Sequence, residues 1–293
     1  MATAAKKWIV GLDLGPRSDG AIAFGKWLSD QGGDQLVGVH VLEEAHLNAA
    51  LRYHHLTELE TSALTTARAK VASADATANF SVLEVIEGRT AEETLAAAAA
   101  YRRCDGIVVG RNAPRDGHPL IRLGRVARRL LRTLPTPVAV VPPDFSLTTA
   151  GKGPVLLACS LDDDALAAAE FARDFAARFS RTVELVHVAP SPDHHSAQYL
   201  PEATLAKLRA ETIAEAETKL AQWAEANGLA AATRVAKLGA IVVQLAEHAR
   251  ACDATAIVTG SRRLSGFERL LLASAGSELS SHATCPVFVV PPK

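Results

Sequence analysis

The chain repeats itself at half its length. Residues 104–110 (CDGIVVG) return as residues 252–260 (CDATAIVTG), and each copy is followed by a helical stretch and a second apolar run. These second runs begin at Pro137 and Pro286, an offset of 149 residues (286 − 137 = 149) in a chain of 293. Solenoid repeats have about 20–50 residues, so a unit of this size is a whole domain. The sequence therefore predicts two similar domains.

The boundary between the two halves is expected in a polar, glycine-containing segment. Residues 144–153 (DFSLTTAGKG) have this composition, which is typical of linkers. We therefore predict a first domain over residues 1–143, a linker over residues 144–153 and a second domain over residues 154–293.

Within each half, short apolar runs alternate with helical patterns. The first half has five such runs, which the second half repeats in order: residues 8–13, 36–42, 80–86, 106–110 and 138–141. Ser18 and Thr90 are predicted to cap the helices that follow the first and third runs. Strands that alternate with helices favour a parallel sheet with helices on both faces. The predicted fold class is α/β, with two tandem flavodoxin-like (Rossmann-like) domains, each a five-stranded, mainly parallel sheet flanked by helices.

Composition limits the class of protein and its location. With 48% hydrophobic residues, 22% charged residues and a formal net charge of −1, the chain has a globular composition and no overall charge to attract nucleic acid. Its apolar runs are shorter than the roughly 20 residues that a membrane-spanning helix needs. Residues 1–7 also lack the apolar core of a signal peptide. We therefore predict a cytoplasmic protein with neither a membrane nor a nucleic acid as partner.

Cysteines and histidines do not follow the spacing of a metal framework. The chain has four cysteines, each next to or within a predicted strand: Cys104, Cys159, Cys252 and Cys285. Disulfide or metal frameworks need close, paired spacings, so we interpret these as buried, reduced thiols and predict no metal site. The adjacent histidine pairs at 54–55 and 194–195 fit exposed loops better, since neighbouring side chains rarely converge on one ion.

A group of arginines precedes the last strand of the first half. They recur at three- and four-residue spacings, which places much of their charge along one side of a helix: Arg122, Arg125, Arg128, Arg129 and Arg132. No aromatic residues lie between them, and nothing matches a nucleic-acid-binding module. We interpret this arginine group as a solvated basic face rather than a surface for nucleic acid or an acidic partner.

The ligand site of such a sheet is expected at the carboxyl ends of the strands, where the strand order reverses. The sequence places Asp13, Val41 and the loop after Gly110 there. A loop that starts at glycine offers backbone N–H groups, and the next helix adds a partial positive charge for phosphate. A carboxylate can accept hydrogen bonds from adenine or ribose. This combination favours a nucleotide.

These features resemble the universal stress protein family in its tandem form. The resemblance rests on Asp13, on residues 39–41 (VHV), on the break at Gly88 with its acidic helix start, and on the two repeated motifs that end in glycine and in Pro-Val-x-Val-Val-Pro. It covers nearly the whole chain, twice. It implies the fold of the adenine nucleotide alpha hydrolases, a role in stress response and, in some members, binding of ATP or another adenine nucleotide, with the need for Mg²⁺ left open.

Nucleotide-binding members of the family carry glycine, two residues, glycine, nine residues and then Gly-Ser or Gly-Thr. In the first half Gly110 fits and Ala113 replaces the second glycine, while Gly124 comes one residue late and precedes Arg125. Arg111 and Arg125 supply charge that can hold phosphate where the hydroxyl is lost. The resemblance thus implies these cofactor-binding candidates: Asp13, Val41, Gly110, Arg111, Gly124 and Arg125.

The second half keeps less of the pattern. Its matching residues are Gly260, Ser261 and, after an alanine, Ser274. Arg263 replaces the second glycine, and Ser160 takes the position of Asp13. A side chain at a glycine position can block the approach of phosphate to the backbone. The first half is therefore favoured as the nucleotide site, and the alternative for both halves is that the glycines merely end strands and begin helices.

The resemblance also implies how the domains pair. Family members commonly pair through the edge strand that here is residues Val138–Val141, and the tandem form is expected to pair it with Val287–Val290. Short strands bounded by prolines suit an edge that pairs once and stops. The expected result is an intramolecular pseudo-dimer, with further pairing into a homodimer left open.

No catalytic arrangement is evident in the sequence. It has no nucleophile elbow, no Walker lysine motif and no serine, histidine and aspartate set that belongs to one site. We expect no enzymatic activity beyond, at most, slow ATP hydrolysis. Two functions stay open: a stress-response protein that binds an adenine nucleotide in its first half and acts through a protein partner, and a nucleotide-independent interaction scaffold with degenerate ATP sites.

Overall fold

The computed structural model describes residues 5–52, 54–111, 123–192, 199–261 and 275–292. The chain forms two compact units. Unit 1 comprises Met1–Ala150 and Pro286–Val289, and unit 2 comprises Gly151–Cys285 and Val290–Lys293. Residues 286–289 therefore belong to unit 1 although they lie near the end of the sequence.

Unit 1 alternates strands and helices as predicted. Its strands are β1 (Lys7–Gly11), β2 (Gln35–Glu43), β3 (Phe80–Gly88), β4 (Gly106–Gly110), β5 (Val138–Val141) and most of β10 (Val287–Val290). Its helices are α1 (Asp19–Gly32), α2 (Glu44–Ala50), α3 (Leu56–Ser73), α4 (Ala91–Tyr101) and α5 (Arg125–Thr133), and a 3₁₀ turn, Pro16–Ser18, follows β1. The short helix α2 is an addition to the predicted elements.

The strands of unit 1 lie in the order β3-β2-β1-β4-β5-β10. Strands β1 to β5 are parallel to their neighbours, whereas β10 is antiparallel to β5, with Val287 opposite Val140. The order reverses between β1 and β4. The α/β class and the Rossmann-like architecture are confirmed, and the order 3-2-1-4-5 is the Rossmann one, whereas flavodoxin has 2-1-3-4-5.

Helices cover both faces of the unit 1 sheet. A Cβ at Gly25 of α1 would lie 3.2 Å from the side chain of Val10, and a Cβ at Gly11 would lie 3.2 Å from Leu95 of α4. Neighbouring residues of a strand point to opposite faces. Helices α1 and α4 therefore pack on opposite sides of β1.

Trp8 anchors the core of unit 1. Its side chain is 1% exposed, its Nε1 donates a hydrogen bond to Asp34 Oδ2 (2.8 Å), and its ring centroid lies 5.9 Å from that of Phe288. Trp8 lies opposite Gly106, where a Cβ would come within 2.3 Å of the indole. Gly106 thus leaves the space that the tryptophan fills.

Unit 2 repeats this pattern. Its strands are β6 (Val155–Ala158), β7 (Val183–Ala189), β8 (Thr233–Leu238) and β9 (Ala256–Gly260), and its helices are α6 (Asp164–Arg178), α7 (Glu202–Ala226), α8 (Ile241–Ala251) and α9 (Ala275–His282). These four strands are parallel and lie in the order β9-β6-β7-β8. His40 Nδ1 hydrogen-bonds to the carbonyl oxygen of Leu12 (2.7 Å), and His187 Nδ1 does the same with Cys159 (2.8 Å). His187 lies 147 residues after His40 (187 − 40 = 147), so the two histidines occupy equivalent positions in the two units.

The two copies of the repeated motif correspond at their final glycines, Gly110 and Gly260, but not at their Cys-Asp pairs. Arg103 and Asp253 both adopt left-handed φ angles, 52° and 50°, directly after the preceding helix. They are 150 residues apart (253 − 103 = 150), as are Gly110 and Gly260 (260 − 110 = 150), whereas the Cys-Asp pairs are 148 apart (252 − 104 = 148). The Cys-Asp pairs therefore occupy different positions in the two units, and the sequence equivalence between them is wrong.

The predicted helix caps agree in part with the structure. Thr90 Oγ1 accepts a hydrogen bond from the N–H of Glu93 (3.4 Å), as predicted. Ser18 instead donates from its Oγ to the carbonyl of Gly15 (3.1 Å) and makes no side-chain cap for α1. His55 is the N-cap of α3, and its N–H donates to Glu58 Oε2 (3.2 Å).

The four cysteines are free thiols in different surroundings. Cys159 and Cys285 are buried, and burial raises the pKa of each to about 12. Cys104 and Cys252 are only half-buried, so the prediction of buried thiols holds for two of the four. Among the described residues, no helix is long and apolar enough to cross a bilayer.

Candidate functional site

The predicted first-half site lies at one edge of the unit 1 sheet. Strand β1 lies between β2 and β4 and is parallel to both, so their carboxyl ends meet beside the reversal of strand order. Asp13 follows β1, Val41 is half-buried within β2 opposite Ile86, and Gly110 ends β4. The fold therefore brings the strand ends that carry these three residues to the same edge.

The turn after β1 fixes the orientation of Asp13. Its Oδ1 accepts a hydrogen bond from the N–H of Gly15 (2.9 Å), and its Oδ2 lies 3.8 Å from Arg17 Nε, beyond hydrogen-bonding distance. The side chain is 39% exposed. Leu14 has a left-handed φ of 58°, and such a backbone costs a non-glycine residue about 1–3 kcal/mol. The turn thus holds an accessible carboxylate in a strained, defined position.

Gly110 packs directly against this turn. A Cβ at position 110 would lie 1.8 Å from the backbone carbonyl oxygen of Arg17, so a larger residue requires the backbone to move. The next residue, Arg111, donates its N–H to the carbonyl of Val141 (3.1 Å), and the arginine is only 5% exposed. Burial lowers the pKa of the Arg111 guanidinium, and the Asp144 carboxylate acts in the opposite direction. The Arg111 side chain is therefore buried and does not lie on the surface.

Arg125 is engaged by a carboxylate in this structure. It is the first residue of α5 and pairs with Glu43, the last residue of β2, whose Oε1 also accepts the N–H of Ala91 (2.8 Å). The carboxylate side chain of Glu43 is 8% exposed, whereas the arginine is about half exposed. Gly124, the N-cap of α5, has φ −58° and ψ 159°, a backbone that any residue can adopt.

The described members of the arginine group are exposed, as predicted, and two of them also pair with carboxylates. Besides the Arg125 pair, Arg129 Nη1 lies 2.5 Å from Oε1 of the buried Glu92. The exposed members are Arg125, Arg128, Arg129 and Arg132, and Arg122 lies outside the described residues. The predicted exposure of the group therefore holds for these four arginines, and the structure adds ion pairs from Arg125 and Arg129 to acidic residues of β2 and α4.

The ion pair with Arg125 gives Glu43 a pH-dependent role in stability. Burial raises the pKa of this carboxyl, but the N–H of Ala91, the Arg125 guanidinium and His46 outweigh burial and lower it below its ordinary 4.5. Its contribution to stability is therefore present above the unfolded-state pKa and is lost as pH falls through the folded-state value.

We expect Glu43→Gln to destabilise the protein at neutral pH and to lose this penalty in acid. Glutamine keeps an acceptor for Ala91 but cannot form the ion pair. Urea unfolding of both proteins from pH 7 to pH 3 should show the difference in free energy shrinking below about pH 4.5. A difference that stays constant over this range would contradict the assignment.

The second-half candidates are described in part. Gly260 ends β9, and the N–H of Ser261 donates to the carbonyl of Val290 (3.0 Å), as Arg111 does to Val141 in unit 1. Ser160 Oγ donates to Asp162 Oδ1 (2.5 Å). Ser274 and Arg263 lie outside the described residues, as does Ala113 of the first half.

Glu43 is the site residue that sequence reasoning missed. A comparison of the halves carries a signal for it, because offsets of 147 and 149 residues place Pro190 and Ser274 at the positions of Glu43 and Arg125 (43 + 147 = 190; 125 + 149 = 274). Both members of the ion pair are thus absent from the second half together. Joint loss of opposite charges is expected when two residues contact each other.

Comparisons with known proteins identify the family. The universal stress protein family model matches residues 5–142 and again residues 153–291. A universal stress protein from Archaeoglobus fulgidus DSM 4304 has a similar structure, with 16% identity, a TM-score of 0.68, and coverage of 99% of this chain and 100% of that chain. A functionally unknown protein from Pseudomonas aeruginosa PAO1 is also similar, with 16% identity, a TM-score of 0.63, and coverage of 99% and 93%. Comparison with curated proteins gives no match. The chain therefore belongs to the universal stress protein family, in the tandem form that carries two such domains.

Proposed function

We propose that this protein acts in the stress response and binds ATP or another adenine nucleotide at the carboxyl edge of unit 1. The observation that carries the proposal is Asp13, an accessible carboxylate beside the strand-order reversal. Its Oδ1 accepts the N–H of Gly15, while Oδ2 lies 3.8 Å from Arg17 Nε on a side chain that is 39% exposed, so a ligand can reach it. Strained turns such as that at Leu14 cluster at ligand sites.

The phosphate end of the nucleotide would meet Arg125 at the start of α5. A helix N-terminus carries a partial positive charge, and an arginine there adds donors that suit phosphate. Because Glu43 already pairs with Arg125, phosphate must share the guanidinium with a carboxylate. We therefore infer modest affinity, with Asp13 and the strand ends contributing the base and ribose contacts.

Asp13→Ala is expected to weaken nucleotide binding at least about tenfold, since an oriented charged acceptor contributes about 1.5–3 kcal/mol. The test measures nucleotide in protein purified without added ligand, followed by calorimetry with ATP. Ser160→Ala, at the matching position of unit 2, is the control and should bind as the wild type does. Phosphate release in the same samples, compared with Arg125→Ala, tests for slow ATP hydrolysis.

A nucleotide-independent interaction scaffold is the second candidate function. It is favoured by the internal use of two expected phosphate-binding elements, because the Pro16–Ser18 turn fills the space at Gly110 and Glu43 engages Arg125. Absence of binding by the wild-type protein would select this function. If Asp13→Ala bound nucleotide as the wild type does, the nucleotide site would lie elsewhere than at the carboxyl edge of unit 1.

The same proposal includes an intramolecular pseudo-dimer that presents its surface to a protein partner. It is supported by the antiparallel pairing of Val138–Val140 of β5 with Val287–Val289 of β10, a strand that comes from the second copy of the repeat. Prolines flank both strands, which limits further pairing along them.

A further inference from the structure

We propose that unit 2 carries a binding site for a zinc-type divalent metal ion, formed by Glu184, His248 and Cys252. His248 Nε2 lies 3.1 Å from Glu184 Oε1. One potential ligand atom from each of the three residues lies within 4.8 Å of the other two. This site is independent of the nucleotide site proposed in unit 1.

Two regular elements position the three side chains. His248 lies in α8 and Cys252 is its C-cap, so the spacing of four residues places both on one side of the helix. Helix α8 packs against β7, which carries Glu184. The side chains of Glu184 and His248 are 13% and 15% exposed, so the cluster is shielded but reachable from solvent. Sites built on helices and strands hold their ligands more firmly than sites on loops.

The donor set matches zinc chemistry. Thiolate, imidazole and carboxylate are the three ligand types that zinc uses, at about 2.3 Å for sulfur and about 2.0–2.2 Å for nitrogen and oxygen. Tetrahedral bonds of these lengths place ligand atoms about 3.3–3.7 Å apart. The observed separations of up to 4.8 Å therefore need only small side-chain rotations. Three protein ligands leave the fourth position open for water, whereas calcium and magnesium prefer oxygen ligands alone.

The surroundings also favour a cation. The cluster lies at the carboxyl-terminal end of α8, where the helix dipole places partial negative charge. His248 and Glu184 already place a nitrogen and an oxygen ligand side by side. The Cys252 Sγ, whose contact in this structure is a long hydrogen bond to the carbonyl of Ala249 (3.8 Å), lies beside them and supplies the third ligand atom.

The site belongs to unit 2 alone. The repeat offsets place Val37, Ala98 and Arg102 at the positions of Glu184, His248 and Cys252 in unit 1 (184 − 147 = 37; 248 − 150 = 98; 252 − 150 = 102). All three ligands are therefore replaced together in the other copy. The prediction of no metal site was based on the spacing between cysteines. The repeated motif also made Cys252 look equivalent to Cys104, although the two occupy different positions in their units.

Cobalt titration of the full chain tests the proposal, because Co²⁺ substitutes for zinc and gives a charge-transfer absorption band with thiolate. The protein, stripped with a chelator, should bind one equivalent of Co²⁺ with this band, and Zn²⁺ should abolish the band. Cys252→Ser should remove the band and His248→Gln should weaken binding at least about tenfold. Cys104→Ser, which alters a half-buried thiol of unit 1, should leave both unchanged.

Alkylation read by mass spectrometry gives a second measurement that does not depend on cobalt. Zn²⁺ should slow the modification of Cys252 and leave that of Cys104 unaffected, and this protection should weaken as the pH is lowered because protons compete for the ligands. Far-ultraviolet circular dichroism checks that each variant is folded, and Cys252→Ser is close to isosteric. A missing band in the wild type, a band that persists in Cys252→Ser, or equal protection of both cysteines would overturn the proposal.

Discussion

Trp8→Ala is expected to lower the free energy of unfolding of unit 1 by about 3–5 kcal/mol, the range for removing a fully buried aromatic side chain. The indole is 1% exposed and occupies the space left by Gly106. Its loss also leaves the buried Asp34 without the indole N–H donor. Backbone on both β1 and β4 limits collapse into the cavity, which places the cost high in the range.

Two further variants separate the parts of this effect. Trp8→Phe retains most of the ring but loses the N–H donor to Asp34, which should cost about 1–3 kcal/mol. Combining Trp8→Ala with Phe288→Ala should give a coupling energy of about 0.5–1.5 kcal/mol, since the two rings are in contact.

Urea unfolding followed by circular dichroism measures these differences. Trp223→Ala is the control, because this tryptophan lies in α7 of unit 2 and is only partly buried. It should cost clearly less than Trp8→Ala. Equal losses for the two alanine variants would show that Trp8 does not anchor its unit.

The order of strands and helices could be predicted from the sequence because each strand is a short apolar run bounded by glycine, proline or polar residues. The strand ends that carry Asp13 and Gly110 followed from the same pattern, since parallel strands end at one edge of the sheet. The side-chain contacts at that edge could not be predicted from the sequence pattern. Pairing of Glu43 with Arg125 depends on how α5 lies relative to β2, and helical spacing predicts only that arginines share a side, not what that side meets.

The register of the repeat shows a second limit. The dipeptide Cys-Asp occurs near both β4 and β9, yet the offset changes from 147 to 150 residues between the first strands and this region, so identical letters fall at different positions. Side-chain size is the better guide here. Trp8 opposite Gly106 in unit 1 corresponds to Val155 opposite Ala256 in unit 2, so a smaller side chain on the first strand faces a larger one on its neighbour. Such compensation can be recognised only when the strand pairing is known.

Gly110→Ala is expected to destabilise ligand-free unit 1 by about 2–3 kcal/mol, the upper part of the range for overpacking. The added Cβ would lie 1.8 Å from the carbonyl oxygen of Arg17, which is backbone and cannot rotate away. Gly15→Ala is the matched control, because its φ of −100° and ψ of −179° suit alanine and its Cβ would meet only Asp13, at 3.5 Å. The control should change stability by less than about 1 kcal/mol.

Fluorescence can follow this unfolding in unit 1 alone. In a Trp223→Phe background the remaining tryptophans, Trp8 and Trp27, both lie buried in unit 1. The measurement is made without nucleotide. If Gly110 were needed only for contact with phosphate, its replacement would not change the stability of the ligand-free protein. If Gly110→Ala is as stable as Gly15→Ala yet binds ATP more weakly, the glycine is required for phosphate. If it is destabilised as expected, the glycine is required by the turn, and a family pattern that includes Gly110 does not by itself indicate a working nucleotide site.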